Sequence, residues 1–338
     1  MRSALLLALL AVSPTFAQTA SSAKAAPSVK SKKAANETSE APKPTLANVP
    51  YGAHERHILD FWKAESSTPA PLVFVIHGGG WAGGEKERVN RFVDVQELLN
   101  AGISVAAINY RFIKHAEAEG VKPPVKVPLY DAARALQFVR SKAAAWNLDK
   151  RRVGAAGGSA GACSSLWLAL HDDLAHSKSD DPIARESTRL WCAAVIGAQT
   201  TLDPQQMKEW TPNSRYGGHA FGFTANPQKT YTNEVARTYA QFEAFLAGRE
   251  KILPWIAEYS PYALVTADDP PLWMSYGRPP ALGQDQEDPT HTANFGVKLQ
   301  EKLRSVGVEC ELVYPDAPGV KHKTVQDYLI EKLKSPGK

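Results

Sequence analysis

Arg152-Val-Gly-Ala-Ala-Gly-Gly-Ser-Ala-Gly-Ala-Cys-Ser-Ser165 decides how this chain is read. An apolar run from Val153 to Ala156 leads in, and Leu166 to Leu170 continues as a helix. Between them Gly157, Ser159 and Gly161 spell G-x-S-x-G, the pattern of a serine on a sharp strand-to-helix turn. Such a turn forces the serine backbone into an unfavourable conformation, so the residues two before and two after must lack bulk. Gly157 and Gly161 meet that demand, while Gly158 and Ala160 add slack. The following helix aims its first amides beside the hydroxyl, where an oxygen gaining negative charge is stabilised. Any glycine turn between a strand and a helix spells something similar, so the flanking elements and a second motif carry the weight.

That second motif lies upstream. Pro71 to Ile76, PLVFVI, is a continuous apolar run of the kind found in a buried parallel strand. It ends in His77-Gly-Gly-Gly-Trp81. Three glycines after a strand let the backbone turn and present its N–H groups to a carbonyl oxygen. Gly79 and Gly80, with Ala160 after the serine, are the candidate oxyanion-hole donors.

The rest alternates strands and helices. His57 to Trp62 reads as an edge strand, and Glu85 to Asn100 has helical periodicity. Gly102 to Asn109 is a buried strand followed by Tyr110-Arg111, and Pro128 to Trp146 is an amphipathic helix. Leu190 to Ala198 is the strand after the serine helix. Residues 199–260 form a long aromatic insertion, and Pro271 to Gly277 is another strand. Then come a polar loop with Asp285, Glu287 and Asp288, a helix from Thr292 to Ser305, and a strand from Val308 to Tyr314. His322 precedes a last helix. This alternation predicts an α/β fold with a mainly parallel sheet covered on both faces. Sites in such sheets form at the carboxyl ends of the strands, where His77 and Ser159 fall.

The chain resembles the α/β-hydrolase esterases, close to the bacterial feruloyl-esterase-like and hormone-sensitive-lipase-like carboxylesterases. The resemblance is carried by HGGGW at 77–81, NYR at 109–111, GGSAGA at 157–162 and the C-terminal acid and histidine, and runs from about Val49 to the end. Gly158 stands where hormone-sensitive-lipase-like members usually carry Asp, which favours the feruloyl-esterase-like branch. The resemblance implies a cap over the site, here the insertion at about 199–260. It also implies a triad in the order Ser, acid, His. Ser159 is then the nucleophile. His322, after the last strand, is the expected base, with His291 as runner-up. Asp288 is the expected acid, with Asp285 next and Asp203 a remote third. Asp268 and Asp269 precede their strand and sit at its wrong end. Trp81 and Trp210 are candidate substrate contacts. Mixed polar and aromatic cap residues, among them Glu209, Asn213 and Arg215, suit a sugar or aryl ring better than a lipase lid would.

Composition narrows the class. The 338 residues carry 39 Lys and Arg against 35 Asp and Glu. Six of the basic and two of the acidic residues lie before residue 49, leaving 33 of each, so no basic stripe argues for nucleic acid. Three cysteines, Cys163, Cys192 and Cys310, lie in apolar segments and read as buried small hydrophobes, with no disulfide framework and no metal spacing. Residues 1–17 read as a signal peptide, with Arg2, an apolar run from Ala4 to Val12 and a small-residue site at Ala17. Residues 18–48 read as a disordered linker, and 49–338 as the catalytic domain. The expectation is a secreted or periplasmic serine carboxylesterase, without cofactor or metal and free of the membrane after cleavage. It would act on short acyl or aryl esters, including those on polysaccharides. A peptidase or lipase of the same fold and a non-catalytic binding module are the alternatives.

Overall fold

Leu72, Phe74 and Ile76 pack into one apolar core and Val73 and Val75 into another, and all five are buried. Successive strand residues face opposite sides, so a strand apolar on both must be covered on both. In the computed structural model, which describes residues 40–335, that requirement is met by one eight-stranded sheet with helices on each face.

The strands are β1 (Leu46–Pro50), β2 (Ile58–Trp62), β3 (Ala70–Ile76), β4 (Ser104–Ile108), β5 (Leu148–Gly158), β6 (Cys192–Ile196), β7 (Leu272–Ser275) and β8 (Cys310–Val313). Their spatial order is β1-β2-β4-β3-β5-β6-β7-β8. β1 pairs with β2 and β2 with β4 antiparallel, and the other pairs are parallel. Two expectations are corrected. β2 is not an edge strand, because β1 bonds to its outer side. Leu46 to Asn48 therefore belong to the sheet rather than to a linker, and Asn48 N–H donates to Asp60 Oδ1 at 2.8 Å. The signal peptide and residues 18–39 of the expected linker lie outside the described residues.

The helices are α1 (Val95–Asn100), α2 (Ile113–Ala118), α3 (Lys126–Ser141), α4 (Ala143–Trp146), α5 (Ala160–Leu170), α6 (Pro204–Trp210), α7 (Glu234–Ala247), α8 (Leu253–Tyr259), α9 (Pro261–Leu264), α10 (Ala293–Ser305) and α11 (Val325–Lys334). One expected helix is split. Residues 86–91 form a 3₁₀ turn, and Asp94 caps a fresh helix by accepting from Glu97 N–H at 3.0 Å. The turn is pinned underneath, where Lys86, its side chain 1% exposed, reaches Asp60 at 3.0 Å and Glu87 at 2.6 Å. All three cysteines are buried and free, as their apolar settings predict, and burial pushes each thiol up to about 12.

Parallel pairing aligns the strand ends. Ile76 lies opposite Gly157, Gly158 opposite Ile196, and Ile196 opposite Ser275. The loops after β3, β5, β6 and β7 therefore open at one end of the sheet. The insertion between β6 and β7 contributes α6 to α8 and a 3₁₀ turn at Gly218–Phe221. No helix among the described residues is long and apolar enough to cross a membrane.

Candidate active site

Ser159 stands between β5 and α5 with φ 53° and ψ −120°. A residue with a side chain held there costs on the order of 1–3 kcal/mol, which the surroundings must offset. They do so by close packing. A Cβ on Gly161 would lie 2.0 Å from the Ile76 carbonyl, and one on Gly157 would lie 2.5 Å from the same oxygen. Gly158 does more than add slack, since a Cβ there would meet the Phe92 ring at 2.6 Å. The Ser159 N–H donates to Ile196 O at 3.0 Å, so the elbow is tied to the next strand.

Ser159 Oγ lies 2.9 Å from His291 Nε2, and His291 Nδ1 lies 2.8 Å from Asp288 Oδ2. The proton positions follow from chemistry. A carboxylate only accepts, so Nδ1 carries the hydrogen, and Nε2 is left with the lone pair that accepts from the serine hydroxyl. Asp288 Oδ1 also accepts from the backbone N–H groups of Thr290 and His291, at 3.0 and 3.2 Å. Burial alone would raise the Asp288 carboxyl, but these bonds hold it below the usual carboxylate range.

His322 is not on this chain of bonds, which corrects the expected base. Its Nδ1 meets Glu311 at 2.7 Å and its Nε2 meets Glu331 at 3.0 Å, so both nitrogens donate to carboxylates that tie β8 to α11. Asp288 is where it was expected, but its partner is the runner-up His291, three residues on in the same loop. Asp285 is exposed and does not reach the imidazole. Asp203 caps α6 and pairs with Arg249 at 2.7 Å.

The two tryptophans expected at the substrate are also reassigned. Trp81 is 1% exposed and its indole N–H donates to Ser164 Oγ at 2.9 Å, anchoring the glycine loop to α5. Trp210 is 4% exposed and packs edge-on against Tyr262 and Phe295. Neither lines the cavity at Ser159. That cavity, about 380 Å³, is walled instead by Phe92, Ile196 and Tyr276, with Arg88 and Arg91 at its rim.

The glycine loop is held from two sides. His77 stacks on Tyr110 at 4.3 Å, and its Nδ1–H donates to Gly78 O at 2.7 Å. Burial lowers the imidazole to about 4, so it stays neutral near pH 7. From the cap, His219 Nε2–H donates to Gly80 O at 3.0 Å, and the Tyr216 hydroxyl covers Gly80. Gly79 lines the cavity with Ser159, Gly80 lies beyond it under Tyr216, and Ala160 opens α5. The cap's Asn213 also grips the acid loop, exchanging bonds of 2.8 and 3.0 Å with the backbone of Gln286.

His54, Glu55 and His115 bring potential metal-ligand atoms within 4.8 Å of one another. Both histidines accept a backbone N–H at Nδ1, at 3.0 and 2.9 Å. Their neutral forms therefore carry the proton on Nε2 and offer no lone pair, so this cluster does not suit a cation.

The BD-FAE family model matches residues 59–286. The chain belongs to the BD-FAE family. It is therefore a feruloyl-esterase-like α/β-hydrolase and a serine carboxylic-ester hydrolase. No curated protein matches the chain in sequence. Solved structures share the fold. An acetyl ester-xyloside bifunctional hydrolase from Caldicellulosiruptor lactoaceticus is 23% identical with TM-score 0.54, over 76% of each chain. A truncated carbohydrate esterase from gut microbiota is 20% identical with TM-score 0.59, over 88% of this chain and 100% of that one. An esterase of Thermogutta terrifontis is 20% identical with TM-score 0.53, over 82% of each.

Within this BD-FAE chain, several site residues escaped sequence reading. His291 was visible as the histidine three places after Asp288, but the usual strand order pointed to His322. Arg88, Arg91 and Phe92 reach the cavity only because the expected helix breaks before Asp94. Tyr276 was visible at the end of its strand. Its ring lines the cavity while its hydroxyl donates to Ala198 O at 2.9 Å.

Proposed function

We propose that this esterase cleaves short acyl or aryl esters of carbohydrates through an acyl-enzyme formed on Ser159, with His291 as base and Asp288 orienting it. The observation that carries the reading is the unbroken chain of hydrogen bonds from Asp288 through His291 to Ser159 at a cavity floor. His291 Nε2 takes the Ser159 proton as Oγ attacks the ester carbonyl. The amides of Gly79, Gly80 and Ala160 stabilise the oxyanion. The tetrahedral intermediate collapses, and His291 passes its proton to the leaving alcohol. Water, deprotonated by the same Nε2, then attacks the acyl-enzyme and frees the acid and Ser159.

The substrate class rests on the cavity and on kinship of fold. A volume of about 380 Å³ is at the small end for ligand sites. Each added acyl methylene gains about 0.8 kcal/mol only while it finds apolar wall to cover. Neighbours of this fold include an acetyl ester-xyloside hydrolase and a carbohydrate esterase. A series of p-nitrophenyl esters from acetate to palmitate, with acetylated xylan and methyl ferulate alongside, tests the reading. kcat/KM should peak at a few carbons. A preference for palmitate with activation at an oil–water interface would replace it with a lipase.

We also infer export, from Arg2, the apolar run Ala4 to Val12 and the small-residue site at Ala17. Amino-terminal sequencing of protein from an extracytoplasmic fraction should begin at Gln18. A cytoplasmic product that retains the leader would overturn the inference.

A further inference from the structure

Arg88 and Arg91 line the same cavity as Ser159 and His291, and no Asp or Glu lines it. They stand three residues apart on the 3₁₀ turn Lys86–Arg91. The backbone kinks at Arg88, where φ is −83° and ψ is 15°, and both side chains line the cavity. The turn is fixed beneath them. Val89 is 1% exposed, the Lys86 N–H donates to Asn109 Oδ1 at 2.7 Å, and Lys86 Nζ is held by Asp60 and Glu87.

Three carboxylates, Glu40, Asp60 and Glu87, share a second groove with the two arginines, and none of them pairs with either one. Asp60 and Glu87 share Lys86, and Glu85 pairs with Arg56 at 3.0 Å while accepting from Asn109 Nδ2 at 2.7 Å. Across the cavity Asp288 is engaged by His291, and Arg278 beside Gly277 is paired with Glu287. Among the described residues neither Arg88 nor Arg91 has an ion-pair partner. Two exposed cations that no carboxylate pairs, lining a catalytic cavity, raise the local concentration of anions and favour one that can be gripped in a bidentate manner.

We propose that Arg88 and Arg91 select an ester that carries a carboxylate close to the scissile bond. The inference rests on the reading of Ser159 as an ester-cleaving nucleophile and adds the charge of the substrate to it. The carboxylate has two possible sources: the acyl group, as in a dicarboxylic half-ester, or the alcohol, as in a uronic-acid unit of a polysaccharide.

The test uses two matched pairs of substrates on the whole protein. 4-Nitrophenyl hemisuccinate against 4-nitrophenyl butyrate examines the acyl side. A mono-acetylated methyl glucuronoside against the corresponding glucoside examines the alcohol side. In one pair the anionic-to-neutral ratio of kcat/KM should be about ten-fold, the size expected of one or two charge-assisted contacts at a solvated rim. It should fall towards one in R88Q/R91Q, be partly kept in R88K/R91K, and shrink as NaCl screens the rim. The responding pair identifies the side of the ester that bears the charge. A ratio that R88Q/R91Q leaves within two-fold of wild type in both pairs overturns the proposal. If no ester of either pair is hydrolysed, the ester-cleaving assignment of Ser159 fails instead. The rim is then judged by calorimetric binding of hemisuccinate and butyrate esters to Ser159→Ala, with and without R88Q/R91Q. Anionic affinity lost with the arginines upholds the rim, and equal affinity refutes it.

Discussion

Ser159 Oγ has its acceptor in His291 Nε2, 2.9 Å away, and that imidazole is oriented by Asp288. In the proposed mechanism the three act as a unit, so removing one disables the rest. Ser159→Ala should fold and lose ester hydrolysis by roughly 10⁴-fold or more. His291→Ala should do the same, whereas His322→Ala, whose imidazole sits between Glu311 and Glu331, should keep most of its turnover. Steady-state kinetics on one p-nitrophenyl ester decide between them. The histidine assignment is wrong if His322→Ala is the inactive one. Asp288→Asn should likewise cost far more than Asp285→Asn. It leaves an imidazole whose Nδ1 proton has no carboxylate to hold it.

At the scale of elements, the His322 cluster joins β8 to α11. Burial alone would lower this imidazole, but hydrogen bonds to Glu311 and Glu331 raise it above its ordinary value of about 6.5. Glu331 is held down at about 2, chiefly by Lys321 and then His322. A raised base contributes stability that is fully present below the unfolded pKa and is lost as pH rises through the folded one. A lowered acid contributes stability that is present above its unfolded value, about 4.3, and is lost as pH falls towards about 2. The melting-temperature gap between wild type and His322→Gln should therefore be widest between about pH 4.5 and 6.5 and narrow on either side. A gap that widens above pH 7 would contradict the doubly bonded imidazolium. The glycine loop makes a second element-level prediction. A Cβ on Gly80, where φ is +61°, would lie 2.1 Å from the Tyr216 hydroxyl. Gly80→Ala should displace the loop and lower kcat by about 10²-fold, the size of losing one oxyanion donor. A wild-type kcat would remove the loop from the chemistry.

For the whole molecule, the cap is a clamp more than a lining. Phe242 and Phe245 are fully buried within it, and Trp210 wedges between Tyr262 and Phe295. Its reach to the site runs through Tyr216, His219 and Asn213, which hold the glycine loop and the loop that carries Asp288. Trp210→Ala should thus cost about 3–5 kcal/mol of stability, as expected for a large buried aromatic. Chemical denaturation and KM for a short ester separate the two roles. A KM rise without loss of stability would return Trp210 to the substrate.

Local sequence determined the sheet, the elbow and the glycine loop. A run apolar on both faces, Pro71 to Ile76, can only be an inner strand, and G-x-S-x-G between strand and helix admits few backbones. Asp288 was legible because it follows a strand and precedes a helix cap. Tertiary structure decided which histidine faces Ser159. His291 and His322 both follow parallel strands, and nothing in their neighbours along the chain says which one faces Ser159. Glu311 and Glu331 lie eleven residues before and nine after His322 and capture it only once β8 and α11 are packed. The cavity wall was hidden for a related reason. A helical period continues unbroken on paper from Glu85 to Asn100. Buried Lys86, bonded across to Asp60 on β2, and the cap at Asp94 break it and turn Arg88, Arg91 and Phe92 towards the serine. The Lys86–Asp60 contact joins residues 26 apart in the chain, and only the folded sheet brings them within reach.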